Sequence, residues 1–519
     1  MTPNPNRWWT LGCVAIGTFM LLLDITIVNV ALPAIQKDLD ASFSDLQWVV
    51  DAYALTLASL LLVSGSVADL IGRRRVFVIG LVLFSAASLA CGLATTPTFL
   101  TVARAVQGIG GAMLFATSLA LLAHAFQGRE RATAFGIWGA TIGGAVAIGP
   151  LVGGVLTDGI GWEWIFFVNV PIGIAAAFFT HAKVDESKDP HPRGVDWLGA
   201  ATFSAALFML VFALIRGNEE GWGSALIVGL FVAAALAMVA FFVIERRISN
   251  PMLDLTLFRN PTFAGASIVA FGLSASMFAM FLYIVLYIQN ILGYTPLEAG
   301  VRFLPLSVVS FFAAPIAGKL SERLPARTLL GGGMVVVGIG LILMNGISDS
   351  SDWTTLLAGF IVAGAGIGCV NPNLAQAAIG VVDPRKSGMA SGINNTFRQV
   401  GIATGIAALG AVFQSRVESK VMEALAGTPV ASHASAIAHG VASGGGREAI
   451  GSVPQSSRGL VQHAASHAFI SGLNELFLIA ASVAGIAAVL AFVLVRQKDF
   501  VTHGHGEQQA QPAPVEAAA

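Results

Sequence analysis

The feature that most constrains this chain is a succession of apolar runs, each near the ~20 residues a helix needs to cross a bilayer's hydrocarbon core. Fourteen fall near Trp9–Leu32, Leu46–Ala68, Val76–Ala94, Thr98–Ala123, Ala132–Leu156, Trp164–His181, Trp197–Ile215, Ser224–Ile244, Thr262–Ile288, Ala299–Leu320, Thr328–Ile347, Trp353–Val381, Gly388–Phe413 and Ala468–Val495. In lipid each run must pair its own backbone N–H and C=O groups, so each is predicted to be a helix. Charged residues make up only 11% of the chain, against about 25% in soluble domains. The expected fold is an all-α polytopic membrane protein with fourteen transmembrane helices. The first run is too long for a signal-peptide core and has no convincing cleavage site, so it is expected to remain as a span.

The loops set the orientation. With the N-terminus inside, Arg73, Arg74, Arg75, Arg129, Arg131, Lys183, Lys188, Arg193 and further basic residues as far as Arg496 and Lys498 collect on one side. The short outer loops hold only Lys37 and Arg216. This is the positive-inside pattern, and it places both termini in the cytoplasm.

The sequence also repeats. Gly108-Ile109-Gly110 returns 256 positions later as Gly364-Ala365-Gly366, and Gly128-Arg129 through Gly136 echoes Pro384-Arg385 through Gly392. Gly65-x-x-x-Asp69 returns more faintly as Gly318-x-x-x-Glu322. Eight helices fit in that interval, so two pseudo-symmetric six-helix bundles separated by an inserted pair are expected, with a substrate site at their interface. The division is residues 1–182 for the first bundle, 183–260 for linkers and inserted helices, and 261–497 for the second bundle with a long outer loop at 416–467. Residues 498–519 form a low-complexity cytoplasmic tail, expected to be disordered.

The fifth run reads GIWGATIGGAVAIGPLVGGVL from Gly136 to Leu156. Interior glycine costs a helix in water roughly 0.5–1 kcal/mol relative to alanine; in lipid it offers a smooth contact face. Gly139 and Gly143 are four apart, as are Gly149 and Gly153, a spacing that lets helices approach backbone to backbone. Pro150 removes a helical hydrogen bond and crowds Val146, so a bend is expected there. Static packing and a sliding surface both fit this pattern. Gly136 followed by Gly149-Pro150-x-x-Gly153-Gly154 resembles the antiporter motif of the fifth helix in major facilitator superfamily exporters. Ala145 stands where that motif has another glycine.

Ionisable residues within a span are costly and are functional candidates by default. The first helix carries Asp24 and Asn29 in LLLDITIVNVALP, which resembles the first-helix motif of the drug:proton antiporter-2 family, the fourteen-helix branch of that superfamily. Counted at ~1.5 Å per residue, Asp24 and Arg104 each lie ~9 Å below the outer face of a ~30 Å core, and Asp51 lies ~8 Å below it. Three charges on three helices thus share one depth. If they also share a cavity, Arg104 neutralises one carboxylate while the other titrates; a structural ion pair is the alternative. Tyr53, Trp48 and Tyr287 are aromatic walls for a cation or members of an interfacial belt. Asn395 and Arg398 are second-half cavity residues or helix-packing hydrogen bonders.

The loop GSVADLIGRRR resembles the superfamily's motif between helices two and three. Gly72 permits the turn, and Asp69 and Arg73 at i, i+4 are placed to form a gating latch at the cytoplasmic helix ends. GWEWIFFVNVPIG, DWLG, YIQNILGYTPLEAG and SGMASGINNTFRQVG resemble the antiporter-2 family further along, with Glu163 at a usually basic or neutral position. His463 and His467 have the i, i+4 spacing of a metal pair, but no third ligand is evident and solvated loop histidines are expected. The three cysteines have no CxxC spacing, and no GxxxxGK[ST] loop occurs, which argues against a zinc site and an ATP-driven pump.

The resemblance implies proton-coupled efflux of hydrophobic, often cationic, small molecules such as drugs or antibiotics across the cytoplasmic membrane by alternating access. The proton gradient would drive it, with no cofactor, no metal and no nucleic-acid partner, in a monomer. Export of a lipid or an endogenous metabolite is the alternative, and the Gly149-Pro150 motif argues against import. A receptor would need a signalling domain, which the short tail does not supply. No catalytic constellation is apparent within the spans, so an enzyme is not expected.

Overall fold

The computed structural model describes residues 6–126, 128–188, 194–249, 251–321, 323–382, 387–442 and 453–500. Arg193, Glu322, Arg385, Lys386 and the tail beyond 500, which entered the reading of orientation, repeat and tail, lie outside these residues. The first six long helices are α1 (Arg7–Leu39), α2 (Phe43–Ile71), α3 (Arg73–Gly92), α4 (Pro97–Ala125), α5 (Gly128–Gly159) and α6 (Trp164–Lys183). The inserted pair is α7 (Trp197–Glu220) and α8 (Ala225–Arg247). Then come α9 (Pro261–Ile291), α10 (Pro296–Leu320), α11 (Ala326–Leu343), α12 (Trp353–Gly380), α13 (Ser387–Leu425) and α14 (Gln455–Leu494). Thirteen of these are long and apolar enough to cross a membrane. α5, 32 residues long, covers the remaining apolar run. No strand occurs among the described residues.

Several helix starts carry side-chain caps. Ser42 and Asp45 form a capping box at α2, Thr295 and Glu298 form another at α10, and Thr96 before Pro97 caps α4. Each satisfies N–H groups that the first helical turn leaves unpaired. α9 is less regular, with two π-helical segments at Ser274–Phe278 and Tyr287–Ile291.

The internal repeat is visible as packing. A Cβ on Gly108 would sit 2.5 Å from the Tyr53 carbonyl, and one on Gly110 would sit 2.7 Å from the Phe84 nitrogen and 3.0 Å from the Gly80 carbonyl. Gly364 and Gly366 repeat this against α10 and α11, at 2.4 Å from the Leu306 carbonyl and 2.8 Å from the Gly333 carbonyl. The glycines are small because two neighbouring backbones touch α4, and likewise α12, at one level. Between the halves, α7 packs on α2 and α13 through Leu207, Val211, Ile215, Ala54, Leu55, Ala403 and Ala407. α8 rests mainly on α7, and only 17% of its most apolar window is buried, so its outer face meets lipid.

The described residues of the segment 416–467, which omit 443–452, do not form the loop expected from composition. α13 continues to Leu425, a short helix spans Ala434–Ala442, and α14 already begins at Gln455. Val417, Val421, Leu425, Ile437, Ala438, Val461 and Ala464 are buried together in this cap. The reason is amphipathicity: Arg416, Glu418, Lys420 and Glu423 hide a stripe at i, i+4, i+8 that is apolar on one face only.

Candidate functional site

The first bundle converges on one buried polar cluster. Arg104 on α4 is 1% exposed, and Asp24 on α1 is equally buried. The Arg104 Nη1 donates to Asp24 Oδ2 and, at 2.6 Å, to the Gln107 side-chain oxygen. Its Nε donates to the Val49 carbonyl of α2 at 3.1 Å. The guanidinium also lies over the Tyr53 ring, 4.3 Å from its centroid. Asp24 Oδ1 accepts from Gln107 Nε2 at 2.8 Å and from Asn169 Nδ2 of α6 at 3.5 Å. Gln107 and Asn169 both reach Ser88 on α3. Every partner of this pair is thus itself held, which is the condition under which a buried ion pair is tolerated.

The shared depth of Asp24 and Arg104 is a shared contact; that of Asp51 is not. Asp51 is fully buried, and neither of its carboxylate oxygens has a hydrogen-bond partner. Asp51 lies two residues from both Val49 and Tyr53, which face Arg104, so at 100° per residue it points to the opposite side of α2. Asn29 also stands apart, donating to the Ile25 carbonyl of its own helix at 3.1 Å. Tyr53 does line a small cavity of about 10 Å³ with Ile25, Val28, Val50, Ala54, Arg104, Gln399 and Ile402. Tyr287 is buried in the core with its hydroxyl unpaired, and Trp48 packs on Phe208 and Phe212 of the inserted pair. Asn395 bonds to Ser391 in its own helix, and Arg398 reaches Asn371 on α12 at 2.9 Å. Their neighbour Gln399 lines the cavity instead.

The glycine-rich helix makes contacts in two directions. Gly149 and Gly153 face α1, where a Cβ would lie 1.9 Å from Thr26 Oγ1 and 2.9 Å from the Ile27 carbonyl. Gly154 faces the second half, 2.6 Å from the Pro296 carbonyl, and Gly300 would place its Cβ 2.3 Å from the Pro150 carbonyl. Backbone therefore meets backbone across the two halves at this end of α5. Gly139 has nothing within 4 Å. Gly136 lies within α5, but its surroundings, like those of Gly143, fall outside the described residues.

Residues 14–406 match the sequence profile of the Major Facilitator Superfamily. The chain belongs to this superfamily. The multidrug resistance protein Stp of Mycobacterium tuberculosis is 38% identical over 79% of this chain and 76% of its own length. The tetracenomycin C resistance and export protein of Streptomyces glaucescens is 32% identical over 93% of this chain and 91% of its own. The puromycin resistance protein pur8 of Streptomyces alboniger is 36% identical over 79% and 82%. In fold, the chain is similar to a bacterial homologue of the human lysosomal transporter Spinster, with a TM-score of 0.63 at 19% identity over 96% of this chain and 98% of that one.

As a superfamily member, the chain carries its turn between α2 and α3 intact. Asp69 accepts from Arg73 at 2.9 and 3.1 Å. This ion pair joins neighbouring helices of one half and makes no described contact with the other. Gly72 has φ +122°, a conformation that disfavours any side chain, and the Glu186 carboxylate lies 2.6 Å from where its Cβ would be. Glu186 Oε1 accepts from the Arg74 backbone N–H at 3.0 Å, so the segment after α6 caps α3. The two histidines are solvated as expected, but they lie on α14 rather than in a loop. His467 Nδ1 lies 3.1 Å from Asp349 Oδ2 and His463 Nε2 lies 4.0 Å from it, all at the exposed surface. Among the described residues, no group of three His, Cys, Asp or Glu side chains could hold a metal ion.

Sequence reading missed Gln107, Asn169 and Gln399. Gln107 had a signal, since it follows Arg104 by three residues and so shares its helix face.

Proposed function

We propose that this chain exports hydrophobic, often cationic, small molecules across the cytoplasmic membrane in exchange for protons. It does so as a multi-pass monomer with both termini in the cytoplasm, and it acts as a transporter without catalytic chemistry. The observation that carries this reading is the buried Asp24–Arg104 cluster, reached from α1, α2, α3, α4 and α6, beside a second buried carboxylate, Asp51. Charge inside a membrane protein is costly, and it marks ion and proton pathways. The relatives supply the direction, because their names describe resistance and export. The membrane potential contributes ~2.3 kcal/mol per charge per 100 mV, enough to drive uphill export when proton entry is coupled to it.

The test is a panel of compounds added to energised inverted vesicles, with lumenal pH as the readout. Export into the lumen in exchange for protons should raise lumenal pH on addition of cationic hydrophobic compounds, and only where the protein is present. A response confined to lipids or cell-made metabolites would select the alternative export reading. No pH response to any compound would remove proton exchange.

A further inference from the structure

The two buried carboxylates of the first half are in opposite circumstances. Asp24 accepts from Arg104, Gln107 and Asn169. Asp51 is just as buried and accepts from nothing. A buried carboxylate without a donor or a cation is far more costly than the same group as a neutral acid. Asp51 is therefore the unpartnered carboxyl of the pair, while Asp24 is fully engaged.

What lies around Asp51 is a contact between the halves. Gln47, one turn nearer the start of α2 and on the same face, donates its Nε2 to the Ile406 carbonyl of α13 at 3.0 Å. Tyr283 of α9 donates its hydroxyl to that same carbonyl at 2.6 Å. Tyr283 is within electrostatic reach of Asp51. Gly410 makes room for both donors, since a Cβ there would lie 1.9 Å from Gln47 Nε2 and 3.0 Å from the Tyr283 hydroxyl. The other titratable groups on helices packed against α2 are engaged elsewhere. Arg104 is turned to Asp24, Arg398 to Asn371, and Arg216 of α7 to Glu219 at 2.8 Å.

We infer that Asp51 is the proton carrier of the exchange, and that Gln47 and Tyr283, meeting on the Ile406 carbonyl, form the lock that separates it from the outer side. This rests on the proton-exchange reading above. With the lock open, the Asp51 carboxylate takes a proton from outer water. The lock then closes over the neutral acid. Opening toward the cytoplasm releases that proton to water and restores the carboxylate. Asp24 stays paired with Arg104 throughout and sets the charge of the site.

Asp51→Asn keeps the size of the neutral acid and cannot carry a proton. In full-length protein in energised inverted vesicles, the substrate-induced rise in lumenal pH should fall by more than about tenfold. Exchange of labelled for unlabelled substrate, which needs no net proton movement, should persist. Gln47→Ala combined with Tyr283→Phe should instead leak, with lumenal acidity decaying before any substrate is added. An undiminished pH response in Asp51→Asn overturns the assignment, as does loss of exchange equal to the loss of response in protein that inserts and melts normally. A double variant that holds its pH gradient like wild type overturns the lock. If wild type itself gives no pH response, the exchange reading has failed, and the variant comparison with it.

Discussion

The two halves share a scaffold and differ in what they bury. Gly108 and Gly110 bring α2 and α3 against α4; Gly364 and Gly366 bring α10 and α11 against α12. At the repeat spacing, the position of Arg104 falls on Phe360, which is fully buried and packs on the Phe303 ring with centroids 5.2 Å apart. Among the described residues, Asp24, Asp51 and Arg104 are almost wholly buried in the first half, whereas from α9 onward the nearest counterpart, Arg398, is only part-buried and bonds to Asn371. Close packing through small residues was thus duplicated, and the most deeply buried charge lies on one side. Packing asks only for shape, which both copies can satisfy. A buried charge needs a full set of partners, and α1, α2, α3, α4 and α6 together supply them to Arg104 and Asp24.

Four experiments would break or sharpen this contrast. The largest effect belongs to Arg104→Ala. Removing one partner of a buried pair costs about 3–5 kcal/mol, so the melting temperature of purified protein should drop steeply; an unchanged value would mean the pair does not hold the first half together. Asp24→Leu with Arg104→Phe writes second-half chemistry into the first half. Apolar replacement of a buried pair is often neutral, so most stability should return while transport stays lost. Transport by that double variant would separate the cluster from function.

Gly110→Val and Gly366→Val place the same side chain into the same backbone contact in each half. Overpacking costs about 1–3 kcal/mol, and the two losses, read from denaturation midpoints, should agree within about 0.5 kcal/mol. A larger gap would end the equivalence of the scaffolds. The smallest effect is at the turn between α2 and α3, where Asp69→Asn removes a half-buried i, i+4 pair worth about 0.3–0.5 kcal/mol. Stability should hardly change, turnover should slow, and substrate binding should be spared. Equal loss of binding and transport would instead indicate misfolding.

The fold was largely legible because hydrocarbon solvent leaves helices as the one regular choice for each apolar run. Glycine spacing revealed the repeat because close backbone contact admits little else. The site was legible in depth and not in direction. Counting residues along a helix placed Asp24, Arg104 and Asp51 at one level, but the face each presents depends on which neighbour α2 and α4 pack against. Asp51 therefore looked like a third member of a cluster it turns away from. Asn29, on the same helix as Asp24, bonds to the Ile25 carbonyl of its own helix and makes no described contact with the cluster. Partners such as Asn169 are distant in sequence and unremarked in composition. The helical cap over 416–467 was missed because average hydropathy dilutes a one-sided stripe such as Val417, Val421 and Leu425.

The irregularity of α9 has a mechanical meaning. Tyr283 sits in the eight-residue α-helical stretch Ala279–Leu286, between the two π-helical segments. A π turn carries one residue more than its neighbours, and passing that surplus along the helix rotates what it crosses by about 100°. The middle of α9, with the Tyr283 phenol on the Ile406 carbonyl, is therefore held between two turns that each carry a surplus residue.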